Sequence, residues 1–184
     1  MNDDARVTAD SDTDARADAL HWYVLRTMPQ HEKKMGTYFE KQGLDYYLPV
    51  VERKRQWSDR VKLIEFPLFP GYIFVRFRWF PFYQNILQHN GSVDFVRLDG
   101  VPCTMRGEEI ENLRALVNGA LNLEANPDEN FPPGQMVEVR SGALKGVRGV
   151  VQRVKNRQRL FVHLPLLNQM VVAEVDVLDV EKVE

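Results

Sequence analysis

The chain has 184 residues, 44% of them apolar, which allows one large domain or two small ones with a buried core. A single cysteine, Cys103, excludes an intramolecular disulfide framework and a cysteine-only zinc site. No apolar run nears the roughly 18 residues of a membrane span and the N-terminus lacks a signal-peptide pattern, so a cytoplasmic protein is expected.

The formal charge of −2 hides an asymmetry. Residues 1–20 carry Asp at 3, 4, 10, 12, 14 and 18 against Arg6 and Arg16, a balance of −4, which leaves +2 on the remainder. That leader is almost without large apolar residues, cannot offset its ordering entropy by burial, and is expected to be disordered. A functional acidic arm is the rarer meaning of such a tail.

Regular patterning begins at residue 21. Trp22-Tyr23-Val24-Leu25 reads as a strand, and Pro29 permits a following helix with Met35, Tyr38, Phe39 and Gln42 on one face and Gly43 as its stop. Asp45 to Val51 reads as a second strand with Pro49 near its end, followed by a charged stretch from Glu52 to Lys62. Pro70-Gly71 then suits the central positions of a type II turn, with glycine taking the positive φ. Beyond it, Tyr72, Phe74 and Arg76 alternate with Ile73, Val75 and Phe77. Two mostly apolar faces predict a central strand covered on both sides.

Pro81 opens a second helix with Tyr83, Ile86 and Leu87 on one face and Asn90-Gly91 as its stop. Val93 to Leu98 reads as a strand, and Glu108 to Leu121 as a helix with Ile110, Leu113, Val117 and Ala120 inward. The order β-α-β-β-α-β-α is the split β-α-β arrangement, an antiparallel sheet with flanking helices over residues 21–121. Residues 122–134 read as a linker, rich in breakers from Asn126 to Gly134. Residues 135–184 give short Val-rich strands with turns at Ser141-Gly142, Asn156-Arg157 and Leu167-Asn168-Gln169, a small SH3-like β-barrel. The fold class is therefore α+β. Gly142, Gly146 and Gly149 lack the Gly-Lys-Ser/Thr of a phosphate loop and are read as turn and close-approach positions.

Trp22-Tyr23-Val24, Glu32-Lys33, Tyr47-Leu48-Pro49, the run from Pro67 to Val75 and the run from Gly142 to Gly149 together resemble the NusG-type transcription elongation and antitermination factors, over residues 21–183. The last of these runs matches the KOW motif. The phrasing Pro-Leu-Phe-Pro-Gly-Tyr-Ile-Phe-Val is similar to specialised members such as RfaH and the UpxY regulators. The resemblance implies an N-terminal domain that docks on the clamp helices of the largest RNA polymerase subunit through an aromatic depression, matched here by Trp22, Leu68, Phe69 and Tyr72. Clustered aromatics are the usual anchors of an interface, and they are equally ordinary core residues. Where RfaH has a hydroxyl-rich motif this chain has Phe82-Tyr83-Gln84, so the contact made there is expected to be absent or rebuilt with aromatics.

The charged stretch holds Arg53, Lys54, Arg55, Arg60 and Lys62 around Trp57, a pattern that can meet phosphates while an aromatic stacks on an unpaired base. In related factors this hairpin lies near the non-template DNA strand; a solvated charged hairpin is the plainer reading. Arg140, Lys145, Arg148, Arg153, Lys155, Arg157 and Arg159 form a second basic run without an acid, open to RNA or to an acidic protein surface. The resemblance implies ribosomal protein S10 or Rho as partners of the C-terminal domain, through positions matched by Leu144, Val147 and Leu164. Ala143-Leu144 departs from the pattern, leaving the partner open. His21, His31, His89 and His163 are scattered and Cys103 has no activating base nearby, so no catalytic residue, metal or cofactor is expected. The competing readings are a KOW-type RNA-binding or ribosome-associated protein and, more distantly, an enzyme. The Val-rich C-terminal part, broken by Gly142, Gly146, Gly149 and Pro165, is expected to stay β-structured rather than form the helical hairpin seen in RfaH.

Overall fold

The computed structural model describes residues 19–56, 61–119, 121–127, 134–141, 145–154, 157–167, 169–175 and 180–182. The acidic leader to residue 18, Trp57, Arg60, Ala120, Gly142, Leu144, Lys155, Asn156, Asn168 and residues 128–133 of the expected linker lie outside these. The chain divides into two units, Met1–Leu48 with Pro70–Arg106, and Pro49–Phe69 with Gly107–Glu184.

The first unit is built on β1 (Leu20–Thr27), helix α1 (Glu32–Lys41) and β2 (Asp45–Tyr47). It resumes after the second unit's hairpin strands β3 (Val50–Gln56) and β4 (Val61–Pro67), with β5 (Tyr72–Arg78), α2 (Trp79–Leu87) and β6 (Ser92–Phe95). The sheet order is β2-β5-β1-β6, and every pairing in it is antiparallel. β5 thus has a neighbour on each side, as its two apolar faces require. Tyr23, Leu25, Ile73, Val75 and Phe77 line one face and form a core with Met35 and Phe39 of α1, Ile86 of α2 and Phe95. The other face buries Val24 and Phe74 completely.

Helix α1 ends where Gly43 enters the left-handed region at φ +66. The Gly43 N–H donates to the Glu40 carbonyl and the Leu44 N–H to that of Phe39, the two bonds of a Schellman cap. Phe80 keeps extended angles (φ −95, ψ 138), so regular helix begins at Pro81 as its sequence suggests.

Two expected strands are broken. The stretch 45–51 divides at Leu48-Pro49, because Pro49 supplies no ladder donor; its carbonyl accepts instead from the Leu68 N–H at 2.8 Å, and the chain leaves the sheet. The stretch 93–98 divides at Val96, whose N–H donates to the Val24 carbonyl and whose carbonyl accepts from Cys103. Strands β7 (Arg97–Leu98) and β8 (Val101–Pro102) then form a hairpin around Asp99-Gly100, at φ +51 and +83. Positive φ at both central residues is the type I′ requirement that Asp-Gly meets. β9 (Thr104–Met105) returns to pair with β1.

In the second unit β3 and β4 form a two-stranded hairpin, and α3 (Gly107–Gly119) buries Ile110, Leu113 and Leu116. Leu116 therefore takes the inward place expected of Val117, which is half-buried. Strands β10 (Leu121–Pro127), β11 (Gln135–Val139), β12 (Arg148–Val154), β13 (Arg157–Leu164), β14 (Gln169–Val175) and β15 (Val180–Lys182) form one antiparallel sheet in the order β10-β14-β13-β12-β11-β15. Residues 121–127 were expected to fall largely in the linker, yet they pair with β14. The reason lies in alternation: Leu121, Leu123 and Ala125 interleave with Asn122, Glu124 and Asn126, and Pro127 is tolerated at the end of an edge strand.

The glycines of the C-terminal sheet have backbone duties. Gly146 sits at φ +87, and a Cβ on Gly149 would come within 2.5 Å of the Phe161 carbonyl oxygen. Gly149→Ala should therefore destabilise the protein by about 1–3 kcal/mol, the usual cost of overpacking against a backbone that cannot retreat. A denaturant midpoint equal to that of wild type would contradict this close approach.

Candidate protein and nucleic-acid interface

The Pro70-Gly71 turn presents Tyr72 at the start of β5. Gly71 adopts φ +83, open to glycine without strain, and both of its backbone polar groups are used. Its N–H donates to Glu32 Oε1 at 2.6 Å and its carbonyl accepts from the Thr27 N–H at 2.8 Å. Glu32 is the first residue of α1 and is only 4% exposed. A carboxylate at a helix N-terminus is favoured by the helix dipole, and here it also reaches a turn distant in sequence. Sequence reasoning quoted Glu32 only within the family resemblance; the acid in the first helical turn was its one local signal.

Of the four aromatic-patch residues, Trp22, Leu68 and Phe69 are buried, at 8%, 3% and 2% exposure, while Tyr72 is half-buried. The β1–β5 register pairs Trp22 with Arg76 and Arg26 with Tyr72. Trp22 and Tyr72 thus share a face, but four residues of strand separate them, about 13 Å. Val24 and Phe74 stand between, with Tyr47 stacked on Phe74 at 6.2 Å. Phe82 and Tyr83 pack against the core of the first unit, and Tyr83 stacks on Trp79 with ring centroids 4.9 Å apart.

The hairpin sorts its charges by face. Arg53 opposes Ile64 and Arg55 opposes Lys62, so Arg53, Arg55 and Lys62 project together. The opposite face carries Lys54 across from Leu63, with Glu52 across from Glu65. All of these positions except Ile64 are exposed, Leu63 to 62% and Val61, two residues before it, to 60%. The cations are therefore not one undivided patch: three lie on one face and Lys54 lies on the other, beside two carboxylates.

In the C-terminal sheet Val147 is 1% exposed, and its carbonyl accepts from the Val139 N–H, while Leu164 at the end of β13 is half-buried. Arg148 is committed across the β11–β12 ladder to Glu138, Nε to Oε2 at 2.8 Å. Lys145 is exposed. Burial pushes the Cys103 thiol up, with a backbone hydrogen bond at Leu98 acting the other way, so the thiolate is disfavoured. Among the described residues no three His, Cys, Asp or Glu side chains gather as a metal site, and no helix is long and apolar enough to cross a membrane.

Comparison with known proteins gives a consistent result. The family model described as "Transcription termination factor nusG" matches residues 20–114, just over half of the 184. The transcription termination/antitermination protein NusG of Borreliella burgdorferi is 25% identical over 185 aligned positions, covering 88% of this chain and 98% of that protein. The protein of the same name from Halalkalibacterium halodurans is 22% identical, covering 89% and 98%. A solved structure described as "Domain interaction in Thermotoga maritima NusG" aligns over 91% of this chain and 99% of that one with a TM-score of 0.55 and 23% identity, a likeness of fold. With the family model spanning β1, the Pro70-Gly71 turn, β5 and most of α3, the chain belongs to the NusG family of transcription termination and antitermination factors.

Proposed function

We propose that this chain rides on elongating RNA polymerase and raises its processivity. In this reading residues 21–121 bind the clamp helices of the largest subunit through Trp22, Leu68, Phe69 and Tyr72, and the β3–β4 hairpin contacts the non-template DNA strand. Residues 135–184 recruit a second partner, ribosomal protein S10 or Rho, by way of Leu144, Val147 and Leu164. The observation that carries it is the fixed turn: Gly71 is held through both its N–H and its carbonyl, and it presents the half-buried Tyr72. A rigid aromatic with part of its surface open is the kind of side chain that anchors an interface. Trp22, Leu68 and Phe69 are buried and offer a partner little surface beside Tyr72, and Val147 is likewise buried in the C-terminal set. The grouping of the phrase Pro67 to Val75 with specialised members, rather than with the housekeeping factor, belongs to the same proposal.

Capture of the tagged full-length chain from lysate treated with nuclease tests the central claim. The polymerase subunits should co-purify in stoichiometric amounts; their absence, with ribosomal particles in their place, would favour a ribosome-associated role instead.

A further inference from the structure

We infer that Glu32 is a positioning residue for the polymerase contact, acting through the backbone of Gly71 to set where Tyr72 stands. The inference rests on the reading of Tyr72 as a polymerase anchor. Three observations lead to it. Glu32 is buried to 4% exposure, a state that a carboxylate adopts only with compensation. Its Oε1 accepts a short hydrogen bond from the Gly71 N–H, across 39 residues of sequence. Finally, α1 gains no side-chain cap from His31 at its N-cap, and the one carboxylate of its first turn reaches the turn before Tyr72.

The geometry gives the bond leverage. Gly71 follows a proline and sits at φ +83, a conformation that fixes the direction in which β5 begins. The Thr27 N–H holds the Gly71 carbonyl to β1, and Glu32 holds its N–H to α1, so the residue before Tyr72 is tied to both elements, one through each of its two peptide units. Removing the Glu32 oxygen leaves one tie. The turn can then rotate about the remaining bond, and Tyr72 samples positions that a rigid partner surface does not accept. The charge itself is secondary in this account; the acceptor oxygen at the right reach is what matters. That makes Glu32→Gln and Glu32→Asp informative in opposite senses. Glutamine keeps a carbonyl oxygen at the same reach, whereas aspartate keeps the charge but falls short by about 1.5 Å, which takes the contact beyond hydrogen-bond distance.

The test is a set of affinities of full-length variants for cognate RNA polymerase, with amide exchange at Gly71 measured in parallel. Glu32→Ala and Glu32→Asp should each weaken binding about tenfold and accelerate Gly71 exchange, while Glu32→Gln stays within about twofold of wild type. In a Tyr72→Ala background, Glu32→Ala should cost less than about twofold more, since both changes remove the same contact. A merely structural role would give additive losses instead, and additivity overturns the inference. So does wild-type affinity in Glu32→Asp with Gly71 exchange accelerated. If Glu32→Ala does not fold, Glu32→Asp against Glu32→Gln carries the comparison alone. Should Tyr72→Ala itself bind like wild type, the underlying anchor assignment fails, an outcome distinct from loss at Tyr72 with none at Glu32.

Discussion

Tyr72→Ala should weaken binding to RNA polymerase by about 2 kcal/mol, roughly 30-fold, and leave the fold intact. The expectation separates two residues that the sequence treats alike. Phe69 is 2% exposed, so its ring has almost no surface to offer a partner, whereas Tyr72 is half-buried at the rim of its strand. Phe69→Ala should instead cost about 3–5 kcal/mol of stability, the usual penalty for emptying a buried aromatic site. Any loss of polymerase affinity in Phe69→Ala should then follow its unfolded fraction and recover on cooling or on addition of a stabilising osmolyte. Denaturant curves and binding isotherms on the same preparations make the distinction. If Tyr72→Ala binds as wild type while its unfolding midpoint is unchanged, the aromatic patch is not the polymerase site.

The burial contrast between Phe69 and Tyr72 marks where the sequence stops being informative. Alternation along β5 places Ile73, Val75 and Phe77 on one face and Tyr72, Phe74 and Arg76 on the other, because side-chain direction in a strand has period two. The stop of α1 at Gly43 and the turn at Gly71 follow from the positive φ that glycine alone adopts without strain. Depth is a different matter. Trp22 and Tyr72 both read as aromatic strand residues, but only the register shows them about 13 Å apart on their shared face. Val147 looks like a surface candidate in a Gly-rich turn and proves to be core. The strand at Leu121–Pro127 was hidden by its proximity to breakers, although its alternation was visible. The Glu32 contact shows in a single sequence only as an acid in the first turn of a helix, since its partner is a turn 39 residues away.

The basic hairpin gives the second large effect. Replacing Arg53, Arg55 and Lys62 together by glutamine should reduce the slope of log affinity against log salt for single-stranded DNA by about two to three units, since each neutralised phosphate contributes roughly 0.7–0.9. These three belong to one face of the β3–β4 ladder, where a single backbone can meet them all. Lys54 provides the internal control. It projects from the opposite face, which also carries Glu52 and Glu65, and that face repels phosphate. Lys54→Gln should therefore change the slope by less than about half a unit. Such a difference between cations adjacent in sequence is not expected of a diffuse positive field, which would weight all four alike. Trp57 lies outside the described residues, but its proposed stacking makes a separate expectation: Trp57→Ala should lower affinity with the salt slope unchanged, because stacking releases no counterions. Measured slopes that fall equally for Lys54 and for each of the other cations would show that the hairpin acts only through net charge, and an unchanged slope in the triple variant would remove the hairpin from the DNA interface altogether.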